Sequence, residues 1–148
     1  KTINGLAIQP DTDFKNCPPL DYLLVPGGMG TRQEVNNKAL IAFIRERATH
    51  CKEILSVCTG AFLLQAAGLL HHKSATTHWA SLNRLRAFPD VNVIEKRFVH
   101  DGNIWTSAGI SAGIDLSLAF IAANAGEETA GKVQREAEYY PLGKVYGV

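Results

Sequence analysis

The chain has 148 residues, 46% of them apolar and 20% charged, with a net charge of +1. That length supports one domain with its own core, and the near-neutral balance gives no electrostatic basis for binding nucleic acid or an anionic membrane. No apolar run is long enough to span a bilayer and no secretory h-region opens the sequence, so the expectation is a cytoplasmic protein whose three cysteines, Cys17, Cys51 and Cys58, stay reduced.

In chain order, residues 5–8 are a candidate short strand and residues 11–19 a loop rich in turn formers. Residues 21–25 read as a buried strand that runs into Pro26-Gly27-Gly28-Met29-Gly30. Asn36-Asn37 is placed to cap a helix reaching about Thr49, with Leu40, Ile41, Phe43, Ile44 and Ala48 as its apolar stripe. Residues 53–57 are a second buried strand, and residues 61–67 a helix that stops at Gly68. A turn over 69–74, an extended piece over 75–78 and a helix over 80–88, ending before Pro89, come next. Residues 98–100 and 104–106 flank Asp101-Gly102-Asn103, a hairpin signal. Helices over 112–124 and 128–139 lead to an irregular tail, 141–148. Strands alternating with helices predict an α/β fold with a mostly parallel sheet covered on both faces, and ligands in such sheets bind at the carboxyl ends of the strands.

Ser56-Val57-Cys58-Thr59-Gly60-Ala61 is the segment with the clearest chemistry. It passes from strand to helix with small residues around one cysteine, the geometry of a nucleophile elbow, and a helix N-terminus favours a thiolate. The other reading is a buried structural cysteine. Gly27 and Gly28 lie at a neighbouring strand end, where their backbone N–H groups, with that of Thr59, could meet developing negative charge. A simple chain reversal explains Pro-Gly-Gly equally well, and the spacing is not a dinucleotide fingerprint. His78 is a candidate base or pocket wall, or else a satisfied structural histidine, and Trp79 beside it is a candidate substrate-binding residue that would shape an apolar wall with Ile110. Gly109 and Ile110, in a second strand-to-helix turn, are candidate substrate-lining residues, with close backbone packing as the alternative. Asp115 fits a first-turn acid stabilised by its helix dipole. Adjacent His71 and His72 fit a solvated turn, and no Cys/His cluster implies a metal.

Five ordered motifs carry a resemblance: Val25-Pro26-Gly27-Gly28-Met29-Gly30, the Cys58 segment, Ala66-Ala67-Gly68-Leu69-Leu70, Ala75-Thr76-Thr77-His78-Trp79, and the stretch from Thr106 to Asp115. Together they are similar to the ThiJ/PfpI (DJ-1-like) superfamily, chiefly its isonitrile hydratase branch and the amidase-like domains of AraC-type regulators. The resemblance implies a flavodoxin-like α/β sandwich, a homodimer, no cofactor, Cys58 as nucleophile and Thr59 as its assistant. Protease activity is not implied, because Thr59 stands where the protease-like branch has a histidine. It further implies a carboxylate acting from a first strand and helix that would precede Lys1, so the expectation for the single domain over 1–148 is that an upstream or partner segment completes it. The function implied is hydration of a small isonitrile. The alternatives are a ligand- or redox-sensing domain without turnover and glyoxalase-type chemistry on aldehydes.

Overall fold

A computed structural model describes residues 4–141. Its strands are β1 (Tyr22–Val25), β2 (Glu53–Val57), β3 (Ser74–Ala75), β4 (Asn92–Val93), β5 (Phe98–Asp101) and β6 (Ile104–Ser107). The main sheet has the order β1-β2-β6-β5, and β3 pairs with β4 in a separate two-stranded ribbon. β1, β2 and β6 run parallel, with Val25 opposite Ser56 and Ser56 opposite Thr106, so their carboxyl ends meet at one edge. β5 returns antiparallel to β6 through Gly102-Asn103, where Gly102 takes φ +66° as a two-residue hairpin loop demands.

The helices are α1 (Thr31–Glu34), α2 (Lys38–Ala48), α3 (Ala61–Ala66), α4 (Leu82–Arg86), α5 (Ala112–Ala125) and α6 (Glu127–Glu136). They bury the sheet from both sides. On one face Leu23, Val25, Ile54 and Ile104 pack with Ile44 of α2 and with Phe62 and Leu64 of α3. On the other, Leu55 and Trp105 pack with Leu116 and Phe120 of α5. Each large side chain buried this way contributes roughly 1.5–3 kcal/mol. Ile54, Leu55 and Ser56 are all buried, which is why β2 reads as a continuous apolar run rather than an alternation. Layering and topology are those of the flavodoxin-like α/β sandwich expected from the sequence. Asn37 caps α2 as expected, its side-chain oxygen accepting the Leu40 N–H at 3.2 Å. Among the described residues no helix is long and apolar enough to cross a membrane.

The departures are local. Residues 5–8 form no strand: Gly5 turns the chain at φ +85°, and Leu6 and Ile8 stay exposed. The helix expected over 80–88 begins as a 3₁₀ turn, Trp79–Ser81, and α4 is correspondingly shorter. The extended piece over 75–78 contributes only Ala75 to β3, and the helix over 128–139 ends at Glu136. The short helix α1 and the strand β4 carry no period that a sequence can display. The tail expected over 141–148 lies, beyond Pro141, outside the described residues.

Gly131 lies exposed in the interior of α6, and a Cβ there would meet nothing within 4 Å. Gly131→Ala is therefore expected to stabilise the fold by about 0.5–1 kcal/mol, raising the thermal midpoint by about 2 °C. A lowered midpoint would contradict the open, helical setting.

Candidate active site

β2 ends at Val57 in extended backbone (φ −116°, ψ 136°), and the next residue, Cys58, takes φ +58°. A side chain in that region costs on the order of 1–3 kcal/mol, so the surroundings must hold it there. They grip both of its peptide groups: the Cys58 N–H donates to the Ala108 carbonyl (3.1 Å), and Thr77 Oγ1 donates to the Cys58 carbonyl (2.8 Å). Cys58 then opens the 3₁₀ turn Cys58–Gly60, which passes directly into α3. The thiol is half-buried rather than walled off.

The diglycine loop is built onto this elbow. A Cβ on Gly27 would stand 2.6 Å from the Thr59 nitrogen, 2.8 Å from the Val57 oxygen and 2.9 Å from Cys58 Cβ, so only glycine allows the approach. The Gly28 N–H donates to Thr59 Oγ1 (2.9 Å), and that hydroxyl donates to the Gly28 carbonyl (3.1 Å). Thr59 thus fastens the loop with its side chain, and the Gly28 amide is engaged there. Thr59→Val removes both bonds and is expected to cost about 1 kcal/mol, whereas Thr59→Ser keeps them. Thermal melts of the two variants check this, and an unchanged midpoint for valine would count against the clamp.

His78 enters from the 3₁₀ turn after β3. Its Nδ1 accepts the Ala80 N–H at 3.3 Å, which leaves the proton of the neutral ring on Nε2. Its Cδ2 edge packs against Gly109, where a Cβ would stand 2.4 Å away. Among the described residues no hydrogen bond joins His78 to Cys58, so the ring is a wall with one N–H to donate.

Gly27, Gly28, Cys58, Thr59, His78 and Ile110 line one cavity of about 580 Å³, a size typical of small-molecule sites. Ile110 is its apolar lip, 85% exposed with φ +46°. Gly109 reaches the site only through His78. Trp79 is turned away, 76% exposed, in a neighbouring hollow with Leu82 and Lys96. Residues the sequence reading did not single out also line the cavity, notably Met29, Arg32 and Ser81. Arg32 lies two residues beyond the glycine loop, and that position was its only signal. Thr77, which holds the Cys58 carbonyl, was masked by its histidine neighbour.

The Ile110 loop is fixed from below. Arg97 donates to Ser111 Oγ (3.2 Å) and pairs with Asp115, whose carboxylate also accepts the Tyr139 hydroxyl (3.0 Å). Asp115 therefore braces the loop, and hydrogen bonding to it lifts Arg97 further above its ordinary pKa. His71 pairs with Asp90 (2.7 Å) in an exposed turn, which holds the Asp90 carboxyl below the usual carboxylate range. Among the described residues no group of three or more His, Cys, Asp or Glu side chains could hold a metal ion.

The profile of the DJ-1/PfpI family matches residues 1–123. The chain is 44% identical over 140 residues to isonitrile hydratase of Pseudomonas putida, covering 93% of this chain and 60% of that protein. It is 33% identical over 131 residues to the HTH-type transcriptional regulator GbdR of Pseudomonas aeruginosa, covering 88% of this chain and 35% of the regulator. The crystal structure of a ThiJ/PfpI family protein from Pseudomonas syringae superposes with a TM-score of 0.89 at 36% identity, covering 97% of this chain and 60% of that one.

Proposed function

The chain belongs to the DJ-1/PfpI family, and from that premise we propose that it is a cysteine-dependent hydratase that converts a small isonitrile to an N-formamide. The observation that carries this reading is Cys58, held at φ +58° at a strand-to-helix junction and opening onto a cavity of about 580 Å³. A strained position held by surrounding hydrogen bonds supports a functional reading of this residue. The identity to isonitrile hydratase supports the reaction, although the chain spans only 60% of that protein's length.

In the proposed reaction the Cys58 thiolate adds to the terminal carbon of R–N≡C, and a proton delivered to that carbon gives the thioimidate R–N=CH–S–Cys. Water then adds to the same carbon while nitrogen takes a proton. Collapse breaks the C–S bond, releases R–NH–CHO and returns the thiolate. The net change is isonitrile plus water to formamide, with no oxidant or reductant. Thr59 and Gly27 hold the elbow in register, His78 offers an N–H to the cavity, and Ile110 and Met29 supply apolar contact. A homodimer is the proposed assembly, in keeping with the family.

Similarity to the GbdR regulator supports a second reading, a domain that senses a ligand in the same cavity without turning it over. The test is to assay wild type and Cys58→Ser with methyl isocyanoacetate and with methylglyoxal. Formamide production lost in the variant supports the hydratase. Turnover of methylglyoxal alone would replace it with aldehyde chemistry, and turnover of neither would favour sensing.

A further inference from the structure

The cavity beside Cys58 has a charge asymmetry that the hydratase reading does not use. Arg32 is the only formally charged side chain of Asp, Glu, Lys or Arg type among its described lining residues. Of the other arginines, Arg45 and Arg47 donate to backbone carbonyls, Arg84 lies over the Phe62 ring, Arg86 and Arg97 pair with Glu95 and Asp115, and Arg135, on α6, does not line the cavity. Arg32 makes no ion pair and no side-chain hydrogen bond among the described residues. Its backbone, by contrast, is tied to the elbow. Thr31 Oγ1 donates to the Gly28 carbonyl (2.8 Å), the Arg32 N–H donates to the Met29 carbonyl (3.3 Å), and Gly28 is clamped by Thr59, the neighbour of Cys58. The backbone of Arg32 is thus fixed beside the elbow, and its exposed side chain lines the same space as apolar Met29, Val57 and Ile110.

From this we propose that Arg32 makes the cavity selective for small substrates that carry a carboxylate, so that the preferred isonitriles are isocyano acids rather than neutral ones. The proposal rests on Cys58 being the reacting group. A guanidinium offers paired N–H donors matched to a carboxylate, and it is less strongly hydrated than an ammonium, so it can bind an anion in a partly apolar hollow. With no carboxylate on the described wall, the Cys58 thiolate is the one anion that an acidic substrate faces there and Arg32 offsets it, while a cationic substrate meets Arg32.

The experiment separates this claim from the hydratase reading by using the thiol itself. Iodoacetate and iodoacetamide are each displaced of iodide by the same sulfur and differ in charge. Alkylation of Cys58 in the folded protein at neutral pH is followed by peptide mass spectrometry, with Cys17 as internal reference. The iodoacetate-to-iodoacetamide rate ratio at Cys58 is expected to fall about five- to tenfold in Arg32→Met, to be partly kept in Arg32→Lys, and to fall with salt in wild type, while the Cys17 ratio is unchanged by either Arg32 substitution. In turnover, Arg32→Met is expected to raise KM for isocyanoacetate by a similar factor and so to shrink the preference for the acid over its methyl ester. A Cys58 ratio unchanged in Arg32→Met, or wild type that hydrates the ester in preference to the acid, overturns the proposal and leaves the hydratase reading standing. Charge-steered alkylation without any isonitrile turnover supports Arg32 and removes the hydratase. A Cys58 inert to both reagents overturns both.

Discussion

Cys58→Ala is expected to lower isonitrile turnover by at least about 10³-fold while leaving the protein folded and within about 1 kcal/mol of wild type in stability. The loss follows from the mechanism, since no other described cysteine lines the cavity: Cys51 is buried, its thiol pushed up by that burial, and Cys17 belongs to no part of the site. The stability follows from the backbone. At φ +58° a side chain is strained, and the two hydrogen bonds that pin the residue use its peptide groups, which alanine and glycine keep. Cys58→Gly removes the strain as well and is expected to be more stable than wild type by about 1 kcal/mol, equally without activity. Formamide release followed by NMR, with thermal melts of the three proteins, checks both halves. Turnover within tenfold of wild type in either variant would remove Cys58 from the chemistry. A glycine variant less stable than wild type would mean that the thiol packs in a way its position does not suggest.

How much of this was legible in the sequence divides by the range of the cause. Residues 53–57, the Asn37 cap and the Gly102 hairpin were readable because their determinants lie within a few residues of one another: a continuous apolar run, a side-chain oxygen three residues from its N–H, a glycine where φ must be positive. The Cys58 elbow was readable for the same reason. Residues 5–8 failed because a strand needs a ladder partner, and an apolar tetrapeptide does not say whether one exists. β4 was invisible, and β3 was touched only by the extended piece over 75–78, because two-residue strands owe their existence to each other. Trp79 was grouped with His78 as its neighbour, yet the 3₁₀ turn that begins at Trp79 sends the two rings to different hollows. The role of Thr59 depended on a contact with Gly28, 31 residues earlier, and Arg32 on an absence of partners. Neither is a property of a local string.

Gly60→Ala is expected to destabilise the fold by about 3 kcal/mol and to empty the site of function, although its own backbone would accept alanine. Gly60 takes φ −57° and ψ −27°, ordinary helical values, so conformational strain plays no part. Space decides. A Cβ there would stand 2.2 Å from the Val25 oxygen and 3.0 Å from the Pro26 oxygen, and both are backbone atoms that cannot rotate aside. The relief available is to push the carboxyl end of β1 away from α3. Among the described residues β1 is an edge strand held by β2 alone, so the Val25–Ser56 register gives way first. The diglycine loop then parts from Thr59, which opens the wall that faces Cys58. Overpacking of this kind typically costs 1–3 kcal/mol, with rigid backbone neighbours at the upper end, equivalent to about 10 °C in a domain of this size. Gly30→Ala is the internal control, since Gly30 has φ −58° and nothing within 4 Å of the added carbon. It should stay within about 0.5 kcal/mol of wild type and keep its turnover. Melts and formamide assays on the pair decide the matter: a Gly60→Ala protein that melts within about 2 °C of wild type would show that β1 and the elbow are not packed backbone to backbone.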